Sequence, residues 1–196
     1  MNANQVSAAV LAGGYSTRMG CDKALLKCGE KTFLEVHVSR LKALGIGEIL
    51  LSGTPHRIPG ARNVEDYYSH RGPLSGVHAC MRQAAFPSLL VISVDIPLIP
   101  RDALHRLVLD HEGGITALKH SGRIEPLIAV YDCNLVQAAE CILKSGHHAI
   151  RQLFDIAPVR HSLYQGDERL LSGCNTPEEY AQVLACHALL SMADRD

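Results

Sequence analysis

The sequence predicts a Rossmann-like α/β fold, a three-layer α/β/α sandwich around a mostly parallel central sheet. Short apolar runs alternate with helical patterns along the chain, as in sheets whose parallel strands are connected by helices. The run Leu89–Val94 is aliphatic and β-branched throughout, which is typical of a strand buried on both faces. The length of 196 residues suits one domain with a sizeable core. We therefore expect a single domain over residues 1–196, with a flexible tail at residues 191–196.

The expected elements follow one another in a regular order. Apolar runs predict strands at Val6–Leu11, Glu48–Leu51, Leu89–Val94, Ile115–Leu118, Leu127–Tyr131 and Val159–Tyr164. Helical patterns predict helices at Thr32–Leu44, Pro73–Ala85, Pro100–Asp110, Leu135–Ser145 and Ala149–Phe154, and a last helix from Thr176. Capping boxes mark two helix starts, Thr32 with Glu35 and Thr176 with Glu179, and Gly45 marks one helix end.

Composition excludes several classes of protein. Apolar residues make up 47% of the chain and the formal net charge is −1, which gives no electrostatic reason to expect nucleic acid or an anionic membrane as partner. A long uncharged apolar stretch and a basic leader are both missing from the sequence, so we expect a cytoplasmic protein. The seven cysteines include no Cys-x-x-Cys pair, so we interpret them as reduced residues rather than zinc ligands or disulfides.

The segment Leu11–Lys23, directly after the first strand, is the most informative part of the chain. Its three glycines let backbone N–H groups approach an anion closely, and Arg18 and Lys23 add two cations, so the loop suits a polyphosphate. The spacing is neither that of a P-loop nor Gly-x-Gly-x-x-Gly, which argues against a dehydrogenase. Ligands of such sheets bind at the carboxyl ends of the strands, which places Gly13, Ser52 and Asp95 along one edge.

The same segment fits the pattern Leu-Ala-Gly-Gly-x-Ser-x-Arg-Met-Gly-x-Asp-Lys and resembles the N-terminal signature of the molybdenum cofactor guanylyltransferase (MobA-like) family. Sugar-phosphate nucleotidyltransferases carry a related loop, but usually with Leu-Ala-Ala-Gly at its start and Pro-Lys at its end. Further blocks that resemble the family follow in order: Glu65-Asp66, Gly72–Gly76, Val94–Leu98, Glu125–Tyr131 and Asn175–Glu179. The resemblance implies a fold of the nucleotide-diphospho-sugar transferase type.

The resemblance also implies an activity, a Mg²⁺-dependent transfer of GMP from GTP to the terminal phosphate of molybdopterin. Pyrophosphate is released and molybdopterin guanine dinucleotide forms. The attacking phosphate monoester is already ionised at neutral pH (second pKa about 6), so no general base is needed. The implied partners are molybdoenzyme acceptors or other proteins of cofactor assembly.

Site residues are carried over by position. Arg18 and Lys23 would offset the charge of the triphosphate and of the departing pyrophosphate. The resemblance makes Asp95 a Mg²⁺ ligand, and Asn175 would help to hold the metal or the phosphates. The nucleotide would be framed by Leu11, Ala12, Gly13, Gly14, Ser52, Asp66, Gly72, Pro73, Leu74 and Gly76.

Several alternatives stay open. Asp95 could cap the helix near Pro100, and Asn175 could be a turn residue beside Thr176. Where the family commonly has Asn, this chain has Ser52 and Gly173. The base could be cytosine, the acceptor could be a sugar or lactate phosphate, or the chain could be a non-catalytic nucleotide-binding module that delivers cofactor.

We interpret His147-His148 as surface or pterin-pocket residues rather than metal ligands. Candidates for gripping the pterin phosphate are Arg71, Lys119, Arg123 and Arg151.

Overall fold

A seven-stranded sheet forms the centre of the structure, a computed structural model that describes residues 2–13, 21–53, 55–68 and 71–193. The strands are β1 (Ser7–Leu11), β2 (Lys27–Cys28), β3 (Lys31–Thr32), β4 (Glu48–Ser52), β5 (Arg62–Val64), β6 (Ser88–Ser93), β7 (Ile115–His120), β8 (Arg123–Asp132) and β9 (Val159–Leu163). The helices are α1 (Phe33–Ala43), α2 (Pro73–Gln83), α3 (Arg101–Asp110), α4 (Val136–Lys144) and α5 (Pro177–Ala193).

The strand order of the main sheet is β5-β4-β1-β6-β8-β7-β9, and β2 and β3 form a separate two-stranded ribbon. β8 runs antiparallel to both of its neighbours, whereas the other adjacent pairs of the sheet are parallel. The start of β8 therefore lies at the same edge of the sheet as the carboxyl ends of the other strands. This reversal brings the turn between β7 and β8 to the edge where parallel sheets bind ligands.

The core consists of two layers of side chains, one on each face of the sheet. Residues of α1 and α3, with Val183 of α5, pack against one face, and residues of α2 and α4 pack against the other. Successive residues of β1 alternate between the two layers, with Ala8 and Val10 in one and Ala9 and Leu11 in the other. The predicted three-layer sandwich around a mostly parallel sheet is confirmed.

The predicted helix starts are confirmed in detail. Thr32 Oγ1 accepts a hydrogen bond from the backbone N–H of Glu35, whose carboxylate accepts one from Thr32, and Gly45 after the helix has a φ of 76°. At α5, Thr176 Oγ1 accepts from the backbone N–H of Glu179 at 3.2 Å, and Glu179 Oε2 accepts from the backbone N–H of Thr176 at 3.1 Å.

The structure differs from the predicted elements at three places. The segment predicted as a helix at Ala149–Phe154 is a 3₁₀ turn at Ile150–Asp155, in which Ile150 and Leu153, three residues apart, are the buried positions. The strand predicted at Leu127–Tyr131 begins earlier, at Arg123. β5 was not expected because its three residues include two exposed polar ones. α5 extends to Ala193 and residues 194–196 lie outside the described part, so the flexibility expected of residues 191–196 stays a prediction.

Candidate functional site

The carboxyl ends of three neighbouring strands meet at the centre of the sheet edge. Leu11 at the end of β1 is in register with Ser52 of β4 and Ser93 of β6. Beyond the strands, the backbone N–H of Ala12 donates to the carbonyl oxygen of Ser52 at 2.8 Å, and that of Val94 donates to the carbonyl oxygen of Leu11 at 3.1 Å. The predicted edge thus brings the loops after β1, β4 and β6 together.

Two glycines let the first two of these loops touch. A Cβ atom added at Gly13 would lie 2.8 Å from the Cα atom of Gly53. Gly53 has a φ of +111°, a conformation that side chains rarely allow, and a Cβ there would overlap the backbone of Gly13. The backbone of the glycine-rich loop therefore packs directly on the β4 loop. Gly14 and Arg18, the other predicted contacts of this loop, lie outside the described residues.

Lys23, in the loop after β1, contacts residues from two later loops at this edge of the sheet. Its Nζ donates a hydrogen bond to Asn175 Oδ1 at 2.6 Å and lies 3.5 Å from Asp95 Oδ2. The side chains of Lys23 and Asp95 are only 16% and 22% exposed, which strengthens their electrostatic interaction. The structure therefore places the predicted cation and both predicted metal ligands in one cluster.

Each member of this cluster is held by its own local structure. Lys23 opens a 3₁₀ turn whose N-cap, Asp22, accepts a hydrogen bond from the backbone N–H of Ala24. The Asp95 carboxylate accepts from Ser93 Oγ at 2.5 Å. The Glu179 carboxylate of the α5 capping box also accepts the backbone N–H of Asn175 at 2.5 Å, so the motif that starts the helix also fixes Asn175.

Gly173 lies beside these oxygen atoms. A Cβ added at this position would come 3.2 Å from Asn175 Nδ2 and 3.7 Å from Asp95 Oδ2. A side chain at position 173 would therefore reach the cluster directly, and the glycine leaves that space open.

On the β4 side of the edge, Ser52 is buried and its hydroxyl donates to Asp66 Oδ1 at 2.9 Å. Gly76 of α2 packs against Ser52 so closely that an added Cβ would overlap the hydroxyl oxygen. Burial raises the pKa of Asp66, while the hydrogen bond from Ser52 lowers it. Ser52 thus orients the Asp66 carboxylate through this hydrogen bond, and Asp66 is the more exposed of the two residues.

The start of α2 borders the same region. Gly72, with a φ of 66°, precedes Pro73 at the first helical position. Leu74 is fully buried in the core beneath the helix, as Leu11 nearly is, so contacts with a ligand at these two positions would come from the backbone.

A cleft of about 1190 Å³ extends from the start of α2 past Asp95 and Asn175. One wall of the cleft is formed by the turn between β7 and β8 and by the start of β8. A second wall is formed by the 3₁₀ turn at Ile150–Asp155 and the residues just before it, and a third by α5 and the loop that precedes it. The register of β7 against β8 shifts after Ala117, which accommodates Pro126 in the strand next to the cleft.

Exposed arginines line part of the cleft. Arg123 and Arg151 line it, and in the described ranges no carboxylate forms an ion pair with either. Arg151 Nη2 donates to the carbonyl oxygen of Ile124 at 3.1 Å, whereas Arg169 is neutralised by Asp167 at 2.6 Å. Of the four candidates for the acceptor phosphate, the structure places Arg123 and Arg151 in the cleft, and Arg71 and Lys119 are not part of its lining.

The described part of the chain meets neither the requirements of a metal-binding cluster of His, Cys, Asp and Glu residues nor those of a membrane-spanning helix. It holds no group of three or more His, Cys, Asp or Glu residues placed to bind a metal ion. His148 lines the cleft. None of the helices described has both the length and the apolar character needed to cross a membrane.

Some of the residues that support the site were not predicted from the sequence. Ser93 stands two positions before Asp95, and Gly53 directly after β4, so both could have been proposed from their positions at strand ends. Selecting Arg123 and Arg151 required the reversed strand β8, which no sequence pattern revealed.

The family model described as "MobA-like NTP transferase domain" matches residues 8–162. A protein of Pelotomaculum thermopropionicum named "Probable molybdenum cofactor guanylyltransferase" is 33% identical over 170 residues, which cover 85% of this chain and 81% of the relative. A "Molybdenum cofactor guanylyltransferase" of Syntrophotalea carbinolica is 33% identical over 187 residues, covering 89% and 88% of the two chains.

A solved structure shares the fold. The crystal structure of molybdopterin-guanine dinucleotide biosynthesis protein A from Archaeoglobus fulgidus superposes with a TM-score of 0.78 at 21% identity. The match covers 93% of this chain and 99% of the other.

Proposed function

Because the chain belongs to the MobA-like NTP transferase family, we propose that it transfers GMP from GTP to the terminal phosphate of molybdopterin in the presence of Mg²⁺. It is a nucleotidyltransferase by family. The base, the metal and the acceptor are the parts that we propose. The observation that carries the proposal is the convergence of Lys23 with Asp95 and Asn175, two residues that line the cleft.

The oxygen atoms of this cluster suit Mg²⁺. A carboxylate oxygen of Asp95 and the amide oxygen of Asn175 both face the ammonium group of Lys23. The two oxygen atoms therefore converge on a position that is occupied by a positive charge. Mg²⁺ prefers oxygen ligands, keeps several waters and is bound by one or two carboxylates together with phosphate oxygens. Such a site needs no group of three protein carboxylates, histidines or cysteines. Asp95 and Asn175 would hold the ion, which would neutralise developing charge on the phosphates.

Lys23 and the glycine-rich loop would bind the triphosphate. Backbone N–H groups and an ammonium group stabilise phosphate oxygens, and their fixed positions stabilise the charge that moves to the leaving pyrophosphate. Asp66, held by Ser52, would contact the nucleoside between the β4 loop and the start of α2.

The acceptor would lie in the cleft, with its phosphate near Arg123 and Arg151. An oxygen of that phosphate attacks the α-phosphorus of GTP and forms the new P–O bond, while the bond to the bridging oxygen breaks and pyrophosphate leaves with the electron pair. The attacking oxygen is already ionised at neutral pH, because the second pKa of a phosphate monoester is about 6. The protein therefore has to position the two phosphates and offset their charge rather than remove a proton.

Pyrophosphate release tests the proposal. The protein is incubated with Mg²⁺, molybdenum-loaded molybdopterin and either GTP, CTP, ATP or UTP, and pyrophosphate is measured over time. We expect release with GTP that exceeds release with the other nucleotides. A folded protein that releases none above background would reject the transferase activity, and a preference for CTP would reject the choice of base.

A further inference from the structure

Two side chains of α1 contact the turn that carries Asp95 from outside the cleft. His37 and Arg40 lie three residues apart, so they are on the same face of the helix. His37 Nε2 lies 3.3 Å from the carbonyl oxygen of Val94, and Arg40 Nη1 donates to the carbonyl oxygen of Pro97 at 2.9 Å. Neither residue lines the cleft. The two contacts therefore bracket Asp95 on the side away from any ligand.

Three of the four carbonyl oxygens of the turn Val94–Pro97 are bound by other parts of the chain. The carbonyl oxygen of Asp95 itself accepts the backbone N–H of Cys174 at 2.8 Å. With Val94 bound by His37 and Pro97 bound by Arg40, the turn is fixed from α1 on one side and from the loop before α5 on the other. The hydrogen bond from Ser93 then sets the direction of the carboxylate.

These contacts are costly for the protein to keep. His37 is fully buried, and its Nδ1 has no hydrogen-bond partner among the described residues. Burial, with a smaller contribution from the Arg40 charge, lowers the pKa of His37 to about 3, so the ring is neutral and its one proton must lie on Nε2 to reach a carbonyl oxygen. Burial also lowers the pKa of Arg40, and within the described ranges no carboxylate pairs with this cation. An apolar side chain would satisfy packing alone at lower cost.

We infer that His37 and Arg40 are positioning residues, which hold the Asp95 turn so that its carboxylate is aligned for the divalent cation before ligands bind. The inference depends on the proposed role of Asp95. Neither residue lines the cleft, so their effect on a bound ligand would pass through the backbone carbonyls of Val94 and Pro97. Groups that orient metal ligands in this way typically change metal affinity 10–100-fold when they are removed.

The experiment compares Arg40→Met and His37→Leu with two matched variants. Lys42→Met is the control for Arg40→Met, since Lys42 also lies on α1 and its Nζ also donates to a proline carbonyl, that of Pro59, away from Asp95. His37→Gln keeps an N–H donor at a similar distance and should rescue the contact with Val94. Melting curves establish that each variant is folded, and if His37→Leu is not, Arg40→Met and Lys42→Met decide the question.

Two readouts do not depend on turnover. The first is backbone hydrogen exchange in the unliganded protein at Ile96 and Cys174, whose N–H groups donate to the carbonyl oxygens of Ser93 and Asp95. We expect about tenfold faster exchange there in Arg40→Met and His37→Leu. The second is the Kd of Mn²⁺, measured by electron paramagnetic resonance with GTP present and no acceptor, where we expect about a tenfold rise. In Lys42→Met and His37→Gln both values should stay within about twofold of the parent protein.

Asp95→Asn separates the two proposals. If it weakens Mn²⁺ binding while folded Arg40→Met and His37→Leu leave exchange and Kd unchanged, the positioning role is wrong and the proposed function stands. If Asp95→Asn leaves Mn²⁺ binding unchanged, Asp95 does not hold the cation, and the proposed metal site and the positioning role both fail.

Discussion

At the scale of single residues, the site depends on how one ammonium group and two oxygen ligands share a small space. Lys23 contacts Asn175 and Asp95 together, although Lys23 and Asn175 are 152 residues apart in sequence. Each contact is partly shielded from water, so each charge acts more strongly than at an exposed surface. A change to any of these three side chains should therefore reduce catalytic activity more than it reduces the stability of the fold.

Gly173 offers a gain-of-function test. Gly173→Asn places an amide oxygen next to Asp95 Oδ2, since the Cβ position is 3.7 Å away, and the close contact is with the end of the Asn175 side chain, which can shift. An added oxygen ligand should lower the Mg²⁺ concentration for half-maximal pyrophosphate release by about threefold or more. Gly173→Ala fills similar space without an oxygen and should not lower it. Equal effects of the two substitutions would argue against a metal beside position 173.

We expect the Asp66 carboxylate to lower the stability of the unliganded protein while it strengthens the binding of GTP. Its pKa is raised, chiefly by burial, so ionisation costs folding free energy between its ordinary pKa of 3.8 and its raised value, and the cost persists at pH 7. Asp66→Asn can still accept from Ser52 and should raise the Tm of the unliganded protein at pH 7 by about 2 °C while weakening GTP binding. Well below pH 3.8 the carboxyl of the parent protein is protonated in both the folded and the unfolded state, so the difference in Tm should disappear. A gain in Tm that persists there would show that the charge is not its cause.

At the scale of elements, the reversed strand β8 determines what faces the nucleotide site. Its first residues and the end of β7 form one wall of the cleft, and Arg151 is tied to this wall through the carbonyl oxygen of Ile124. The positions of Arg123 and Arg151 therefore depend on the β7–β8 hairpin rather than on the parallel half of the sheet.

The two cleft arginines should matter for the acceptor and not for GTP. In Arg151→Met and Arg123→Met we expect the KM for molybdopterin to rise about tenfold, because a charge-assisted contact with its phosphate is lost, while the KM for GTP changes little. Steady-state kinetics with each substrate varied in turn measures this. Arg160→Met, at an exposed arginine of β9 paired with Glu112, is the control. Equal rises in both KM values would place these arginines outside the acceptor site.

The sequence predicted the elements with strong local signals and missed those that depend on partners far along the chain. Both capping boxes were identified because their residues are three apart, and the box at Thr176 also places Asn175 through Glu179. The direction of β8 could not be predicted, since a strand sequence does not reveal its partner. For the same reason, the contacts of His37 and Arg40 with a turn 57 residues away left no local pattern.

At the scale of the whole molecule, ligand binding should couple the two ends of the fold. The nucleotide site draws on the loop after β1 and on the loop before α5, which meet only in the folded state. GTP with Mg²⁺ at about 100 times its Kd should therefore stabilise the protein by about 2.7 kcal/mol, equivalent to roughly 5–10 °C in Tm. Melting curves with GTP alone and with GTP and Mg²⁺ measure this, and in Asp95→Asn the part that requires Mg²⁺ should vanish. A stabilisation by Mg²⁺ and GTP that is unchanged in Asp95→Asn would contradict the assignment.

The decisive experiment for the proposed role of Asp95 as a ligand of the divalent cation is the rate of pyrophosphate release by Asp95→Asn, with GTP and molybdopterin over a range of Mg²⁺ concentrations. If Asp95 holds the cation as proposed, we expect a loss on the order of 100-fold or more relative to the parent protein, because electrostatic stabilisation of the transferred phosphate would depend on that cation. A folded Asp95→Asn protein that releases pyrophosphate at the parent rate would contradict it.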